Sequence, residues 1–402
     1  MAEVKQPRLF EDKKRYKKRV SGKCVAIGVM AGVLIIFALL KLSVEICEWY
    51  SRNISSVLIK AANALTGWLP FSVFEVLIYL AAALTISFLI FIIVALCRKQ
   101  FKRAFNSFVD LALVVFIVGT VYGVFAILPY NRKEADIPLY QGTTELDEEA
   151  VYAMAEEYID ALNALSRSVE RDENGELIIP GGFEGLNESL QNTYEEVLTS
   201  DYFYDTDSHL KKWLWPELMS AFSISGVFFA PTAECNVCTA YYTTSVVAAA
   251  AHEMAHSKGA VREADANLVS YYIMLNSSDD LVRYVGYYTL VSDMLDFIVG
   301  VNLDPEGREE LMGKLSDEYF ADARFAAQYA EKQGALGGVG SFFNDLYLKL
   351  SGLEDGTDNY SPQDEGDMVE ISPGENGEAQ TVLRITAFND VKKMLVEMFY
   401  QK

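Results

Sequence analysis

Histidine and cysteine are both scarce in this chain, which has three histidines and five cysteines in 402 residues. Basic residues are also outnumbered, with 34 Lys and Arg against 56 Asp and Glu. The net charge of −22 argues against nucleic acid as a partner, because a phosphate backbone is repelled by such a surface. The sequence shows no internal repeat, and its acidity is best explained by solubility.

The few cysteines give little evidence of a separate metal site. Cys24, Cys47 and Cys97 lie in or near apolar segments, where a free cysteine behaves as a small apolar residue. Cys235 and Cys238 form one CxxC pair, which is weak evidence for a structural zinc site without a second pair. A local disulfide is the preferred interpretation, with metal binding and two reduced thiols as the alternatives.

Two of the three histidines, His252 and His256, stand four residues apart around Glu253. On a helix this spacing places both imidazoles on one face, and Glu253 reaches a water held between them. An alanine-rich run before the motif and Gly259 after it favour a helix with an N-cap at residues 243–245 and a left-handed turn at its end. Such a motif also arises by chance in helices rich in Ala and Glu, so the interpretation needs a third ligand. We predict that both histidines bind Zn²⁺.

A carboxylate on a following helix supplies that third ligand. Glu263 is the first acidic residue after the Gly259 turn, seven positions beyond His256. Asp265 is the second choice, because two residues further along a helix point to roughly the opposite side. Asn267, one turn after Glu263, shares its face and is expected to accept the free ring N–H of a zinc histidine.

This set of residues predicts hydrolysis of peptide bonds. Zinc lowers the pKa of its bound water toward about 7 and polarises a carbonyl, while Glu253 removes a proton and returns it to the leaving amine. The alternative is a membrane-anchored, non-catalytic zinc-binding or scaffold protein on a peptidase fold. Such a protein has no need of a general base, so the intact Glu253 favours a zinc metallopeptidase.

Three charge-free apolar runs in the first third of the chain predict membrane-spanning helices and a lipid bilayer as partner. They are Cys24–Leu40, Val76–Cys97 and Leu111–Asn131, and each is close to or above the roughly 17 to 25 residues that a span requires. The first run is not read as a cleaved signal peptide, because a long region precedes it and its end has no small-residue cleavage site.

The distribution of charge predicts the orientation. Basic residues are dense before the first span and in the loop at 98–103, whereas residues 43–75 contain only two. This places the N-terminus inside the cytoplasmic membrane and everything after Asn131 outside it. Residues 1–129 hold 16 basic and 7 acidic residues, a charge of +9, and the remaining 273 hold 18 and 49, a charge of −31.

The chain therefore divides into a basic cytoplasmic N-terminus at 1–23, a three-helix transmembrane region at 24–130 and an extracytoplasmic domain at 131–402. The last is predicted to be mainly α-helical, with a strand at Ile224–Phe229 beside the metal helix and an acidic flexible loop at 355–377. The predicted helices are Leu146–Val169, Leu186–Leu198, His209–Phe222, Asp280–Val299, Pro305–Gln333, Ser341–Ser351 and Ile385–Tyr400.

Several blocks of the sequence resemble a known family. Residues 226–237 read Gly-Val-Phe-Phe-Ala-Pro-Thr-Ala-Glu-Cys-Asn-Val and lead into His-Glu-Met-Ala-His-Ser-Lys-Gly at 252–259 and Arg-Glu-Ala-Asp-Ala-Asn at 262–267. With Leu-Pro-Tyr-Asn-Arg at 128–132 and Asn-Asp-Leu-Tyr-Leu-Lys at 344–349, these blocks resemble the DUF3810 family, bacterial membrane-anchored proteins with a zinc-peptidase-like domain.

The resemblance implies a zincin-like domain of the gluzincin type, in which Glu263 and Asn267 match the Glu and the Asp or Asn of an ExxA[DN] motif. The chain departs from the family pattern at Cys235 and Cys238, where a small residue and Asn are usual, and the acidic loop at 355–377 looks like an insertion. The role of the two cysteines is therefore not implied by the family.

Four further residues are weaker candidates. Glu234 fits the family block and is expected to bind a substrate amine, brace the zinc ligands or make a structural hydrogen bond. Tyr347 and Lys349 are candidates for stabilising an oxyanion, against the alternative of a core tyrosine and a solvated lysine. His209, the remaining histidine, is assigned a surface role.

Overall fold

The structure is a computed structural model, and most of the residues it describes are helical, as the sequence predicts. The described residues are 7–138, 144–300 and 305–331, with shorter pieces at 333–334, 336–338, 341, 367–373, 379–385, 394–395 and 397–399.

The chain forms two compact units. The first comprises residues up to 58, residues 73–133 and the short turn at 230–232. The second comprises residues 59–72, 134–229 and those from 233 onward. Residues 59–72, which precede the second predicted span, therefore belong to the same unit as the domain that follows the third predicted span.

Long helices dominate the N-terminal part. In chain order they are α1 (Pro7–Leu40), α2 (Val44–Tyr50), a π-helical turn at Ser51–Ser55, α3 (Ser56–Thr66), α4 (Val73–Cys97) and α5 (Phe101–Tyr130). Three helical stretches are long and apolar enough to cross a membrane: Ser21–Leu40, Val73–Cys97 and Phe101–Tyr130. The three predicted spans are thus confirmed as apolar helices, and they indicate association with a membrane.

The third of these helices begins ten residues earlier than the predicted Leu111. Its first turns contain Lys102, Arg103 and Asp110, which precede the charge-free run that begins at Leu111. Asp110 forms an ion pair with Lys23 of α1, and α1 packs along α5. The helix continues through Asp110 because this carboxylate has an oppositely charged partner.

Residues 59–72 contact the rest of the second unit through polar groups. Lys60 Nζ lies 2.6 Å from Asp205 Oδ2, and Asn63 Nδ2 donates to the Asp207 carbonyl at 2.9 Å. In the sequence, α4 and α5 lie between these residues and the domain that they contact. Two crossings return a chain to its starting side, so the contacts agree with both helices spanning a bilayer.

The second unit contains the remaining elements. They are β1 (Thr144–Asp147), α6 (Glu148–Ser166), α7 (Gly182–Val197), β2 (Leu210–Lys212), α8 (Pro216–Ala221), β3 (Gly226–Phe229), β4 (Glu234–Val237), α9 (Thr243–Ser257), α10 (Glu263–Leu275), α11 (Asp280–Gly300), α12 (Pro305–Lys314), α13 (Asp317–Ala330), β5 (Asp367–Pro373) and β6 (Ala379–Ile385). Helices α6, α9, α10 and α11 pack around one core, in which Leu162, Met254, Ile273 and Tyr284 are fully buried.

A three-stranded sheet lies against α9. Its order is β2-β4-β3, with β2 parallel and β3 antiparallel to β4. The predicted strand at Ile224–Phe229 is confirmed as β3, which forms one edge of this sheet. The prediction of a single helix at His209–Phe222 is wrong, because pairing with β4 holds residues 210–212 extended and Pro216 can only begin a helix, the short α8.

Two other predicted elements are corrected. The helix predicted at Pro305–Gln333 is broken at Ser316, whose hydroxyl accepts the Tyr319 N–H at 3.3 Å and starts α13. Within the predicted flexible loop at 355–377, residues 367–373 form β5, which pairs antiparallel with β6 in the order β1-β6-β5. The run Met-Val-Glu-Ile-Ser favours a strand locally, although the acidic composition around it masks that preference. The remainder of the loop lies outside the described residues.

The C-terminal predictions are tested only in part. Ile385 ends β6 rather than beginning a helix, whereas residues 394–395 and 397–399 are helical as predicted. The predicted helix at Ser341–Ser351, except its first residue, lies outside the described residues, as do Tyr347 and Lys349.

Candidate metal centre

The motif His252-Glu253-Met254-Ala255-His256 lies near the end of α9, a helix buried on nearly all sides. Ala250, Ala251, Met254 and Ala255 are completely buried, so small side chains allow neighbouring elements to approach the helix closely. The predicted N-cap at 243–245 is wrong, since Tyr242 occupies the cap position without a capping side-chain bond.

The beginning of α9 is held instead by a buried polar network. The Tyr242 hydroxyl donates to Asp322 Oδ1 at 2.6 Å, and the Tyr284 hydroxyl donates to Oδ2 of the same carboxylate at 2.5 Å. Arg171 forms two parallel hydrogen bonds to Asp322, of 2.8 and 2.9 Å. Asp322 is fully buried, so this network fixes the start of the metal helix against α11 and α13.

His252, His256 and Glu263 come together at one point. His252 Nε2 lies 3.1 Å and His256 Nε2 lies 3.7 Å from Glu263 Oε2. One ligand atom from each residue lies within 4.8 Å of the others. The two imidazole rings are nearly perpendicular, at 89°, with centroids 4.7 Å apart.

This arrangement fits a zinc ion. Two ligand atoms that each lie about 2.0 to 2.1 Å from a tetrahedral zinc are separated by about 3.3 Å, between the two nitrogen to oxygen distances found here. Two imidazoles and one carboxylate are a common donor set of catalytic zinc sites, in which a fourth position remains open.

The turn after α9 orients both His256 and Glu263. Gly259 has φ of +97°, the left-handed conformation expected from the sequence. The turn brings the Ala260 carbonyl to 2.7 Å from His256 Nδ1, and α10 begins directly at Glu263. Because Nδ1 donates its hydrogen to this carbonyl, Nε2 presents its lone pair toward Glu263 when the ring is neutral.

Charge couples the histidines to the carboxylate. Burial lowers the pKa of His256, but the negative charge and hydrogen bond of Glu263 outweigh burial and raise this pKa to about 9. Burial likewise raises the pKa of Glu263, but the two histidines outweigh it and hold the pKa well below its usual range. A proton on His256 therefore competes with a metal ion for the same nitrogen.

Glu253 is buried beside the three candidate metal ligands. Burial raises its pKa, and the charge of Glu263 adds to this effect, while His252 and His256 oppose it. The backbone N–H of Phe228 in β3 donates a hydrogen bond to the Glu253 carboxylate. A carboxylate with a raised pKa, held by one hydrogen bond, is suited to taking up and returning a proton.

Gly226 makes room for this carboxylate. A Cβ atom at position 226 would lie 2.6 Å from Glu253 Oε1 and 2.7 Å from its Cγ, closer than real contacts allow. The roles of Gly226 and of the Ala260 carbonyl were not predicted from the sequence. A glycine inside the predicted strand Ile224–Phe229 was a signal of close approach by another group, whereas a backbone carbonyl leaves no trace in a sequence.

The other candidate residues occupy different positions. Both Asp265 carboxylate oxygens accept hydrogen bonds from Arg262, at 2.8 and 3.1 Å, and one also accepts the Ala135 N–H. The choice of Glu263 over Asp265 therefore agrees with the geometry. Asn267 makes no hydrogen bond to either histidine among the described residues, and Glu234 is buried in β4.

The disulfide predicted between Cys235 and Cys238 is not formed. Both thiols are free and fully buried. Cys235 donates to the Glu253 carbonyl at 3.4 Å, and Cys238 donates to the Pro216 carbonyl at 3.1 Å. The two side chains face different elements, so each satisfies its weak donor separately. His209 is half-buried, with Nδ1 2.8 Å from the Asp207 carbonyl.

Comparison with known proteins places the chain in a family. No curated protein and no solved structure matches it. One family model, described as a protein of unknown function (DUF3810), matches residues 50–363. The match spans the second and third apolar helices and the whole candidate metal centre, and it covers more than half of the sequence. The chain therefore belongs to the DUF3810 family.

Proposed function

We propose that this protein is a membrane-anchored zinc metallopeptidase with a zincin-like domain of the gluzincin type. The observation that carries the proposal is the convergence of His252, His256 and Glu263 within 4.8 Å, with the buried Glu253 on the same helix as the histidines. These four residues combine a zinc-type donor set with a carboxylate whose pKa is raised.

The residues divide the chemistry between them. His252, His256 and Glu263 would hold a zinc ion, which, when bound, would supply a Lewis acid that polarises a carbonyl and acidifies water. Glu253 accepts the proton of the attacking water and then donates it to the leaving amine, so it is regenerated at the end of each turnover.

The free edge of β3 supports a peptide as substrate. The Cys238 N–H donates to the Ser225 carbonyl at 2.8 Å, which shows that the backbone groups of residues 225 and 227 face β4. By the alternation of a strand, those of Gly226 and Phe228 face the opposite edge, which no further strand of the described residues covers and where the Phe228 N–H meets the Glu253 carboxylate. An extended peptide that adds to this edge lies next to Glu253.

The cellular placement is part of the same proposal. The basic residues before α1 and in the loop at 98–103 favour a cytoplasmic N-terminus in a multi-pass protein of the cytoplasmic membrane. The second unit then lies outside, where it meets peptides or proteins as substrates. Its acidity supports the exclusion of nucleic acid as a ligand.

A test uses the full-length protein in detergent or nanodiscs with a broad library of quenched fluorescent peptides. Zinc-loaded wild type is expected to cleave members of the library, and a chelator is expected to abolish cleavage. Glu253→Gln is expected to keep its zinc and lose about 10²-fold to 10⁴-fold in kcat, the usual contribution of a general acid and base. Glu188→Gln, an exposed residue of α7, is the matched control and keeps full activity.

One pair of results would contradict the proposal. Zinc-bound wild type that cleaves no library member, together with no effect of Glu253→Gln in cells, would favour a non-catalytic scaffold protein.

A further inference from the structure

Exposed apolar side chains of the second unit are concentrated in two short stretches. Among the described residues of this unit, nine large apolar side chains are exposed, and three of them, Ile178, Met312 and Leu336, are isolated in the sequence. The other six lie at positions 65–71 and 214–218. They are Leu65 (73% exposed), Trp68 (76%), Phe71 (41%), Leu214 (58%), Trp215 (61%) and Leu218 (37%).

A buried lysine connects the two stretches. Lys211, in β2, donates through Nζ to the carbonyls of Gly67, at 2.8 Å, Thr66, at 3.4 Å, and Leu69. The lysine is 5% exposed, and its positive charge lies at the C-terminal end of α3, where the last carbonyl groups have no partner within the helix itself. Leu214 follows Lys211 by three residues, so it lies within about 10 Å of it along an extended chain.

The first stretch is fixed next to a membrane-spanning segment. Leu69 precedes Val73, the first residue of the apolar helix α4, by four positions, a distance of at most about 14 Å. Trp68 and Phe71 therefore belong to the boundary between apolar helix and water, the depth at which aromatic side chains concentrate in membrane proteins. The hydrogen bonds of Lys211 bring the second stretch to the same neighbourhood.

We propose that Leu214, Trp215 and Leu218 insert into the interfacial layer of the bilayer that α4 crosses. The occupant of this apolar surface is thus lipid, at the boundary between head groups and acyl chains. The neighbouring side chains of Lys212 and Glu217 are exposed, so polar groups flank the apolar ones, as at other surfaces that insert shallowly. An exposed tryptophan and two leucines are suited to such shallow insertion, because α4 already holds the neighbouring stretch at 65–71 close to the bilayer.

The proposal narrows the substrate class, and in this respect it rests on the proposed peptidase function. Strand β3 begins at Gly226, eight residues after Leu218. A peptide on its free edge is then held close to the membrane surface. The substrates are accordingly polypeptide segments that lie next to a bilayer, such as the stalk of a membrane-anchored protein.

Insertion is measured by quenching of tryptophan fluorescence with lipids brominated high on the acyl chain. Full-length protein with Trp49→Phe and Trp68→Phe is placed in nanodiscs, which leaves Trp215 and the buried Trp213 as emitters. Brominated lipid is expected to remove about half of this emission, and almost none after Trp215→Phe, because Trp213 is 3% exposed. Ile178→Trp in the Trp215→Phe protein is the matched control, and its emission is expected to be unaffected.

Two results would overturn the insertion. One is emission from Trp215 that is equal in brominated and ordinary lipid. The other is emission that is the same in both lipids but changes with the number of protein chains per nanodisc. That result would show that a second copy of the chain covers Leu214, Trp215 and Leu218. The measurement is repeated on Glu253→Gln, so it stands whether or not the protein cleaves peptides.

A second measurement tests the substrate class. Leu214→Ser with Trp215→Ser is expected to reduce cleavage of a lipid-anchored peptide by about tenfold while cleavage of the same peptide without its anchor stays unchanged. Equal effects on both peptides would refute the preference for membrane-adjacent substrates. Failure of wild type to cleave either peptide would contradict the peptidase function and leave the quenching result intact.

Discussion

Gly226→Ala tests whether β3 positions the general base. The substitution adds one methyl group at the start of β3, and the new Cβ would lie 2.6 Å from Glu253 Oε1, 2.7 Å from Cγ and 2.9 Å from the carboxylate carbon. Each of these distances is shorter than a normal contact between a carbon and another heavy atom, about 3.4 Å or more. Because Glu253 is buried, its side chain has little room to retreat, so either it or the strand must move.

The size of the effect follows from the required displacement. Relieving the overlap needs a movement of about 0.7 Å or more, and misplacing a catalytic group by about 1 Å costs about 10²-fold in rate. We therefore expect kcat/KM for peptide cleavage to fall by 30-fold to 100-fold, about 2 to 2.7 kcal/mol. The three proposed zinc ligands lie on α9 and α10, so zinc affinity is expected to stay within about threefold of wild type.

The assay compares peptide cleavage, zinc affinity and apparent Tm for full-length wild type and variant. Gly313→Ala is the matched control, because a Cβ there meets no atom within 4 Å, and it should behave as wild type. Full activity of Gly226→Ala would refute the positioning role of β3. Equal losses of zinc affinity and activity would also contradict it, since they would place the damage at the metal ligands.

Three other perturbations have defined outcomes. Asp322→Ala leaves the Arg171 guanidinium buried without its carboxylate, so apparent Tm in nanodiscs is expected to fall by roughly 6 to 12 °C, as for loss of about 3 kcal/mol. Burial raises the pKa of Glu48, but hydrogen bonds from Arg132 and Arg52 outweigh burial and lower this pKa to about 2. The stability that the ionised Glu48 gains from the two arginines is therefore present above about pH 4.5 and is lost as the pH falls toward 2, which is measured as Tm against pH. Zinc that binds at the proposed site must displace a proton from His256, whose pKa is about 9. The apparent Kd for zinc, measured against a competing chelator, should therefore fall about tenfold per pH unit between about pH 6 and 8 and level off above about pH 9.

Each of these measurements has its own control. Asp317→Ala removes an exposed carboxylate in the first turn of α13 and should change Tm by only a degree or two. Glu48→Gln should abolish the acid-sensitive part of the stability profile, and an unchanged profile would contradict the assignment. A zinc affinity that does not vary with pH would show that no histidine proton is displaced.

The convergence of His252, His256 and Glu263 could be predicted from the sequence because its geometry is local. His252 and His256 share a face through helical spacing alone, and Gly259 marks the turn that returns the chain to Glu263. The apolar spans could be predicted for a similar reason, since length and hydropathy belong to each segment by itself.

The remaining features depend on tertiary contacts. Residues 210–212 form a strand because β4 lies beside them, whereas their own sequence fits a helix equally well. Tyr242 begins α9 without a capping side chain because Asp322, which lies 80 positions away, holds its hydroxyl. The contact of Gly226 with Glu253 likewise depends on tertiary packing, because a local sequence pattern does not show that these two residues meet.

The most direct test of the account is elemental analysis of the purified full-length protein. Wild type and Asp265→Asn are expected to carry close to one zinc ion per chain, whereas His256→Ala and Glu263→Ala are expected to retain almost none. Wild-type protein with no more transition metal than His256→Ala would contradict the claim that two histidines and Glu263 form a zinc site.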